Sequence, residues 1–182
     1  MRYWKKEGPE NTQATVDLVV EKARDLNLQH IVVASNTGKT AEKFIGSGLQ
    51  IVCVTHHVGF KSPGEDEMPK EMRKKLKDNG IEVLTTTHLM AGLDRSLRFK
   101  HQGVYPAEIA ADTLRIFSQG IKVCIEIAGM ALDAGLIPYG EDVISVGGSH
   151  VGADSAVVLR PAHSNYFFDT KVREILCKPR DW

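Results

Sequence analysis

The chain has 182 residues, 42% of them hydrophobic and 25% charged, with 23 basic side chains against 23 acidic ones. That length fits one domain with a core of its own and no need of disulfide staples. A formal charge of zero leaves no electrostatic footprint for nucleic acid or an anionic membrane, and no apolar run is long enough to span a bilayer.

The opening residues Met1-Arg2-Tyr3-Trp4-Lys5-Lys6 lack the apolar stretch of a secretory signal. Helical spacing of Val16, Val19, Val20, Ala23 and Leu26 then predicts a first helix over about 12–26, capped by Asn11 or Thr12. The β-branched run His30 to Ser35 predicts a first, buried strand. A turn at Asn36-Thr37-Gly38 opens a helix carrying Ala41, Phe44 and Ile45, ended by Gly46 and Gly48. The second predicted strand is 50–55, followed by a polar loop with Pro63 and Gly64. A charged helix over 69–78 stops at Asn79-Gly80, and the third strand covers 81–86. The segment 88–103 reads as a short helix and a basic loop holding Arg95, Arg98 and Lys100. Pro106 begins a helix to about 117. The stretch 121–136 is apolar nearly all round, as for a helix buried on more than one side. The fourth and fifth strands, 142–146 and 155–159, are joined by a loop alone and so read as antiparallel neighbours. The tail 168–178 fits an edge strand or a short helix. Alternation of strands and helices places the chain in the α/β class, as a single domain over 1–182. The scattered thiols Cys53, Cys124 and Cys177 form no metal or redox spacing and read as reduced, which points to the cytoplasm.

Ligands of open α/β sheets bind beyond the carboxyl ends of the parallel strands. Those ends carry Ser35-Asn36-Thr37-Gly38-Lys39-Thr40, then His56-His57-Val58-Gly59-Phe60, then His88, then the loop from Gly147 to Asp154. The first loop has the chemistry of a phosphate cradle. It offers free main-chain amides where a helix begins, a glycine for close approach, the hydroxyls of Ser35, Thr37 and Thr40, and the charge of Lys39. The competing reading is an ordinary capped helix. Val33 stands where a P-loop requires glycine, which rejects a P-loop NTPase. His56, His57, His88 and His150 all follow strand ends; metal binding, proton transfer and plain hydrogen bonding stay open, with no metal assigned. Gly147, Gly148 and their loop either wrap a ligand or make a tight connection, and strand order decides which. Glu126, inside the apolar helix, lies at a helix edge or near the site.

The run Ile31 to Ala41 resembles the effector-phosphate loop of the C-terminal α/β domain of pyruvate kinases. The whole chain looks like a small family of stand-alone proteins built on that domain. The likeness is carried by Pro9-Glu10-Asn11-Thr12, Val54 to Phe60, Met130 to Pro138, and Gly147-Gly148 through Gly152-Ala153-Asp154. The resemblance implies a three-layer α/β/α sandwich, with a five-stranded mixed sheet in order 3-2-1-4-5 and the last strand antiparallel. It implies a phosphate site at Ser35 to Thr40, and flavin mononucleotide (FMN) as the first ligand to test. The ring system would sit near His56, His57, Gly59, Gly147, Gly148 and His150. It does not imply pyruvate kinase chemistry, which needs a (β/α)8 barrel of about 250 residues. A sugar-phosphate sensor and a histidine-based hydrolase or isomerase are the alternatives. The expected partner is thus a small phosphorylated ligand, and apolar residues on a flanking helix are compatible with a homo-oligomer.

Overall fold

A computed structural model describes every residue from Met1 to Trp182. The elements run β1 (Arg2–Lys6), α1 (Thr12–Asp25), β2 (His30–Ala34), α2 (Lys39–Glu42), β3 (Gln50–Thr55), α3 (Lys70–Asp78) and β4 (Glu82–Thr85). They continue with α4 (Gly92–His101), α5 (Pro106–Arg115), α6 (Gln119–Asp133), β5 (Val143–Gly147), β6 (Ser155–Arg160) and β7 (Lys171–Asp181).

One seven-stranded sheet carries the order β1-β7-β6-β5-β2-β3-β4. Its part β4-β3-β2-β5-β6 is the expected 3-2-1-4-5 arrangement, with β6 antiparallel to β5 and the other four parallel. The sheet is nevertheless wider than the five strands expected. The tail strand β7 pairs antiparallel with β6, and β1 pairs parallel with β7, so β7 is interior and β1 is the edge. Strand β1 escapes pattern reading because it buries Trp4 alone among exposed neighbours.

Alternation along the strands divides the core in two. Ile31 and Val33 of β2, Ile51 and Cys53 of β3, and Ile144 and Val146 of β5 pack with Val16, Val19 and Ala23 of α1, Phe44, and Leu76 of α3. Val32, Val52, Val54, Val143 and Val157 point the other way, against Ile121, Cys124, Ile125 and Ala128 of α6. Helix α6 therefore lies across the middle of the sheet, with α5 against its outer side, completing the three layers. The N–H of Gly80 bonds to Lys77 O and that of Ile81 to Leu76 O, which closes α3 where Asn79-Gly80 was expected to end it.

Several local expectations are corrected. Asn11 does not cap α1; its amide bonds back to the carbonyls of Lys6 and Gly8. The second helix is a single turn: from Lys43 on the amides bond three residues back, to Thr40 O, Ala41 O and Glu42 O, and Gly46 and Gly48 at positive φ then end the segment. Arg95, Arg98 and Lys100 lie on a full helix, α4, not in a loop. Helices α4 and α5 expose Leu93 and Ile109, and Val104 and Ile116 beside α5 are exposed as well. No helix is long and apolar enough to cross a membrane.

Candidate functional site

Strands β2 and β5 are neighbours, with Val33 beside Val146, so the loops leaving them face each other across the point where strand order reverses. A cleft of about 710 Å³ opens there, running over the strand ends from the α2 layer to the α6 layer. That volume is within the range of small-molecule sites.

The wall from β2 is built by Ser35. Its buried Oγ accepts from the N–H of Thr40 at 3.1 Å and of Ala41 at 3.4 Å, which makes it the cap of α2. This corrects one expectation: within the helix, the amides of Thr40 and Ala41 are sealed by the protein. The N–H of Gly38 is also used, on Ser35 O at 3.3 Å. The amides of Asn36, Thr37 and Lys39 bond to nothing within the chain. The turn before the helix and the first residue of α2, then, supply the free donors. Thr37, Lys39 and Thr40 line the cleft, and the ammonium of Lys39 has no ion-pair partner. Gly38 is buried away from the cleft. It holds φ at 84°, and a Cβ there would come 2.3 Å from Met72 Cγ.

The wall from β3 is the pair His56 and Glu67. The Nδ1 of His56 lies 2.7 Å from Glu67 Oε1, and its Nε2 lies 3.0 Å from Asn36 Nδ2. Asn36 Oδ1 accepts from the main-chain N–H of His56 at 3.0 Å, so its Nδ2 must be the donor toward the ring. His56 is accordingly protonated on Nδ1 and positions Asn36, with both ring nitrogens engaged. Phe60 stacks on His56 at 3.8 Å, and the guanidinium of Arg95 lies 4.9 Å from the Phe60 centroid. His88 meets both rings edge-on. Burial, which opposes the charged form, pulls its pKa down to about 4; Glu126 opposes that shift, while His56, Lys122 and Arg95 add to it. His57 joins this aromatic group but bonds to Val58 O and stays out of the cleft. Gly59, at φ 84°, turns the loop and bonds to Glu65 O.

The wall from β5 is the glycine loop. Gly148 lines the cleft, and a Cβ on it would lie 2.3 Å from Gly152 O, so the loop is pinched at that point. Gly147 serves packing instead: a Cβ there would meet Gly120 O of α6 at 2.6 Å. The carboxylate of Asp154, buried without a cation, accepts from the N–H of Ser149 at 3.2 Å and of Gly8 at 3.4 Å, and from Ser155 Oγ. Ser149 lines the cleft and is 8% exposed, yet its Oγ has no hydrogen-bond partner. His150 reaches the rim, fully in solvent, 3.6 Å from Glu7.

The floor comes from α6. Lys122 and Glu126, four apart on one helix face, line the cleft and pair with each other; their side chains are 9% and 6% exposed. Glu126 Oε1 also accepts from the N–H of Met90 at 2.8 Å, which ties the segment before α4 to the cleft floor. The open question about Glu126 resolves toward the site. Pattern reading missed Lys122 and Glu67; Ser149 lay inside the glycine loop it named, and Arg95 inside the basic cluster. Two charges spaced four apart in an otherwise apolar helix were the available signal for Lys122.

Taken together, the lining places Lys39, Lys43, Arg95, Arg115 and Lys122 against only Glu67 and Glu126, in a chain of zero formal charge. No three His, Cys, Asp or Glu side chains are grouped as a metal would require.

A pyruvate kinase from Cryptosporidium parvum matches over 82% of this chain and 22% of its own, at 18% identity and a TM-score of 0.44. A structure of that organism's pyruvate kinase with ADP matches over 81% of this chain and 22% of its own, at 18% identity and a TM-score of 0.40. The chain spans about a fifth of the length of these enzymes. The family described as "Pyruvate kinase, alpha/beta domain" matches residues 13–159, most of the chain, and to that family this protein belongs.

Proposed function

We propose that the cleft binds a small molecule through a single phosphoryl group, and that FMN is the ligand to test first. The observation that carries this reading is the unpartnered hydroxyl of Ser149. A buried hydroxyl left without a partner costs about 1–3 kcal/mol, and a ligand acceptor or donor removes that cost. Two further features support it: the unused amides of Asn36, Thr37 and Lys39, and the unpaired ammonium of Lys39. Main-chain amides gathered in a turn make an anion-binding concavity whatever the length of the helix behind them.

The residues present suit FMN at both ends. Thr37, Lys39, Thr40 and Ser149 would hold the phosphate, and Phe60 with its stacked neighbours would border the ring. A bound flavin supplies electron transfer; the chain supplies binding, orientation and exclusion of water. His56 does not favour a histidine-based hydrolase, because Glu67 and Asn36 occupy both of its nitrogens.

The test is direct. The protein is purified, its spectrum is inspected for flavin, and thermal unfolding is followed with excess FMN, riboflavin and inorganic phosphate. Stabilisation by FMN and by phosphate, with less from riboflavin, is the expected result. A protein indifferent to all phosphorylated compounds would overturn the reading.

A further inference from the structure

Resting on the phosphate reading of the same cleft, we propose that the α6 side, around Lys122 and Arg95, is a second subsite. It accepts an uncharged, acceptor-rich head group, such as the carbonyls of a heterocyclic ring, and discriminates against a second phosphate. Donors are left over on this side of the cleft. An ammonium has three N–H groups, and Lys122 spends its only protein hydrogen bond on Glu126. Its side chain is nine-tenths buried, so water does not freely supply the rest. Arg95 makes no ion pair at all; its guanidinium lies against Phe60 with its donors unused.

Charge then decides what those donors want. Glu126 cancels Lys122, and His88 beside them is neutral at pH 7 because burial holds its pKa near 4. The subsite therefore carries one net positive charge, that of Arg95, and a row of donors. A phosphate dianion brought against Glu126 would meet a buried carboxylate that cannot move, since Met90 N and Lys122 hold both its oxygens. A neutral carbonyl meets no such penalty and takes the spare donors.

Binding of FMN, inorganic phosphate, a hexose monophosphate and a hexose bisphosphate is measured by calorimetry on the intact chain and on Lys122→Met/Glu126→Gln. That double change keeps the floor neutral. In the native chain FMN is expected to bind more than tenfold tighter than inorganic phosphate, and the bisphosphate no tighter than the monophosphate. The double variant is expected to lose about ten- to hundredfold in FMN affinity, the range of a charge-assisted hydrogen bond, with inorganic phosphate unchanged within twofold. An unchanged ratio of FMN to phosphate affinity in the variant overturns the subsite. So does a bisphosphate that binds the native chain tenfold better than the monophosphate, a result that needs no folded variant. Phosphate binding without any preference for FMN overturns the subsite and leaves the phosphate reading standing. Failure of every phosphorylated probe removes the phosphate reading itself, and the subsite with it.

Discussion

Ser149→Ala has opposite effects on the free and the liganded protein. In the free chain the Oγ is buried without a partner, while the main chain of the same residue is held by Asp154. Alanine deletes the unsatisfied hydroxyl and keeps the main-chain bond. Relief of a penalty of 1–3 kcal/mol, less the packing lost with one small atom, leaves a gain of about 1 kcal/mol. For a chain of 182 residues this raises the unfolding midpoint by about 2–4 °C. With ligand bound the sign reverses. The variant forgoes one hydrogen bond of about 1–1.5 kcal/mol to a phosphoryl oxygen, and affinity falls roughly five- to tenfold. Both numbers come from one experiment: thermal unfolding of native and variant protein across a titration of FMN, repeated with inorganic phosphate. A variant that is less stable when free and binds as tightly as the native chain would refute the reasoning. It would mean that the hydroxyl already has a partner and that this wall donates nothing.

Three more outcomes follow from the same geometry. Below the ordinary histidine pKa of 6.5 the unfolded chain takes up a proton that His88 refuses down to about 4, so stability falls as pH drops through that window and recovers as it rises. The loss is on the order of 2–3 kcal/mol; urea midpoints at pH 7 and pH 5 should differ less in His88→Asn than in the native chain. Gly38→Ala forces a Cβ to 2.3 Å from Met72 Cγ at φ 84°, whereas Gly46→Ala at φ 80° meets open space; the first should lose about 2–3 kcal/mol in denaturant titration and the second about 1. The thiols of Cys53, Cys124 and Cys177 are all pushed up by burial, to about 12 for Cys53 and about 11 for Cys177, so maleimide should label none of them at neutral pH until denaturant is added.

The strands that flank the cleft were readable because β2, β3 and β5 are buried on both faces and advertise themselves as β-branched runs. Strand β1 was not, since Arg2, Tyr3, Lys5 and Lys6 surround one buried tryptophan and periodicity has nothing to register. Helix α4 was read as a short helix and a loop for a related reason: none of its residues is buried, so its apolar positions follow no core. At the site, Ser35 to Thr40 and Gly148 could be located because turn chemistry is local. Glu67, Arg95, Lys122 and Ser149 reach the cleft only through the packing of α6, α4 and two loops, and no short window of sequence records that convergence. Even in the legible loop, the division of labour was hidden. Ser35 caps, Gly38 and Gly147 make room for neighbours, and Thr37, Lys39 and Thr40 face the cleft.

Asp154 joins two places that look unrelated on the sheet. One carboxylate oxygen receives the N–H of Ser149, on the cleft wall, and the N–H of Gly8, two residues after β1. The outermost strand is thereby tethered to the pocket's glycine loop through a single atom. A pull on that strand is felt where the ligand sits, and a ligand that firms the loop firms the sheet's margin as well. Amide hydrogen exchange at Trp4 and Lys6 would then serve as a remote gauge of occupancy, read from the edge farthest from β4.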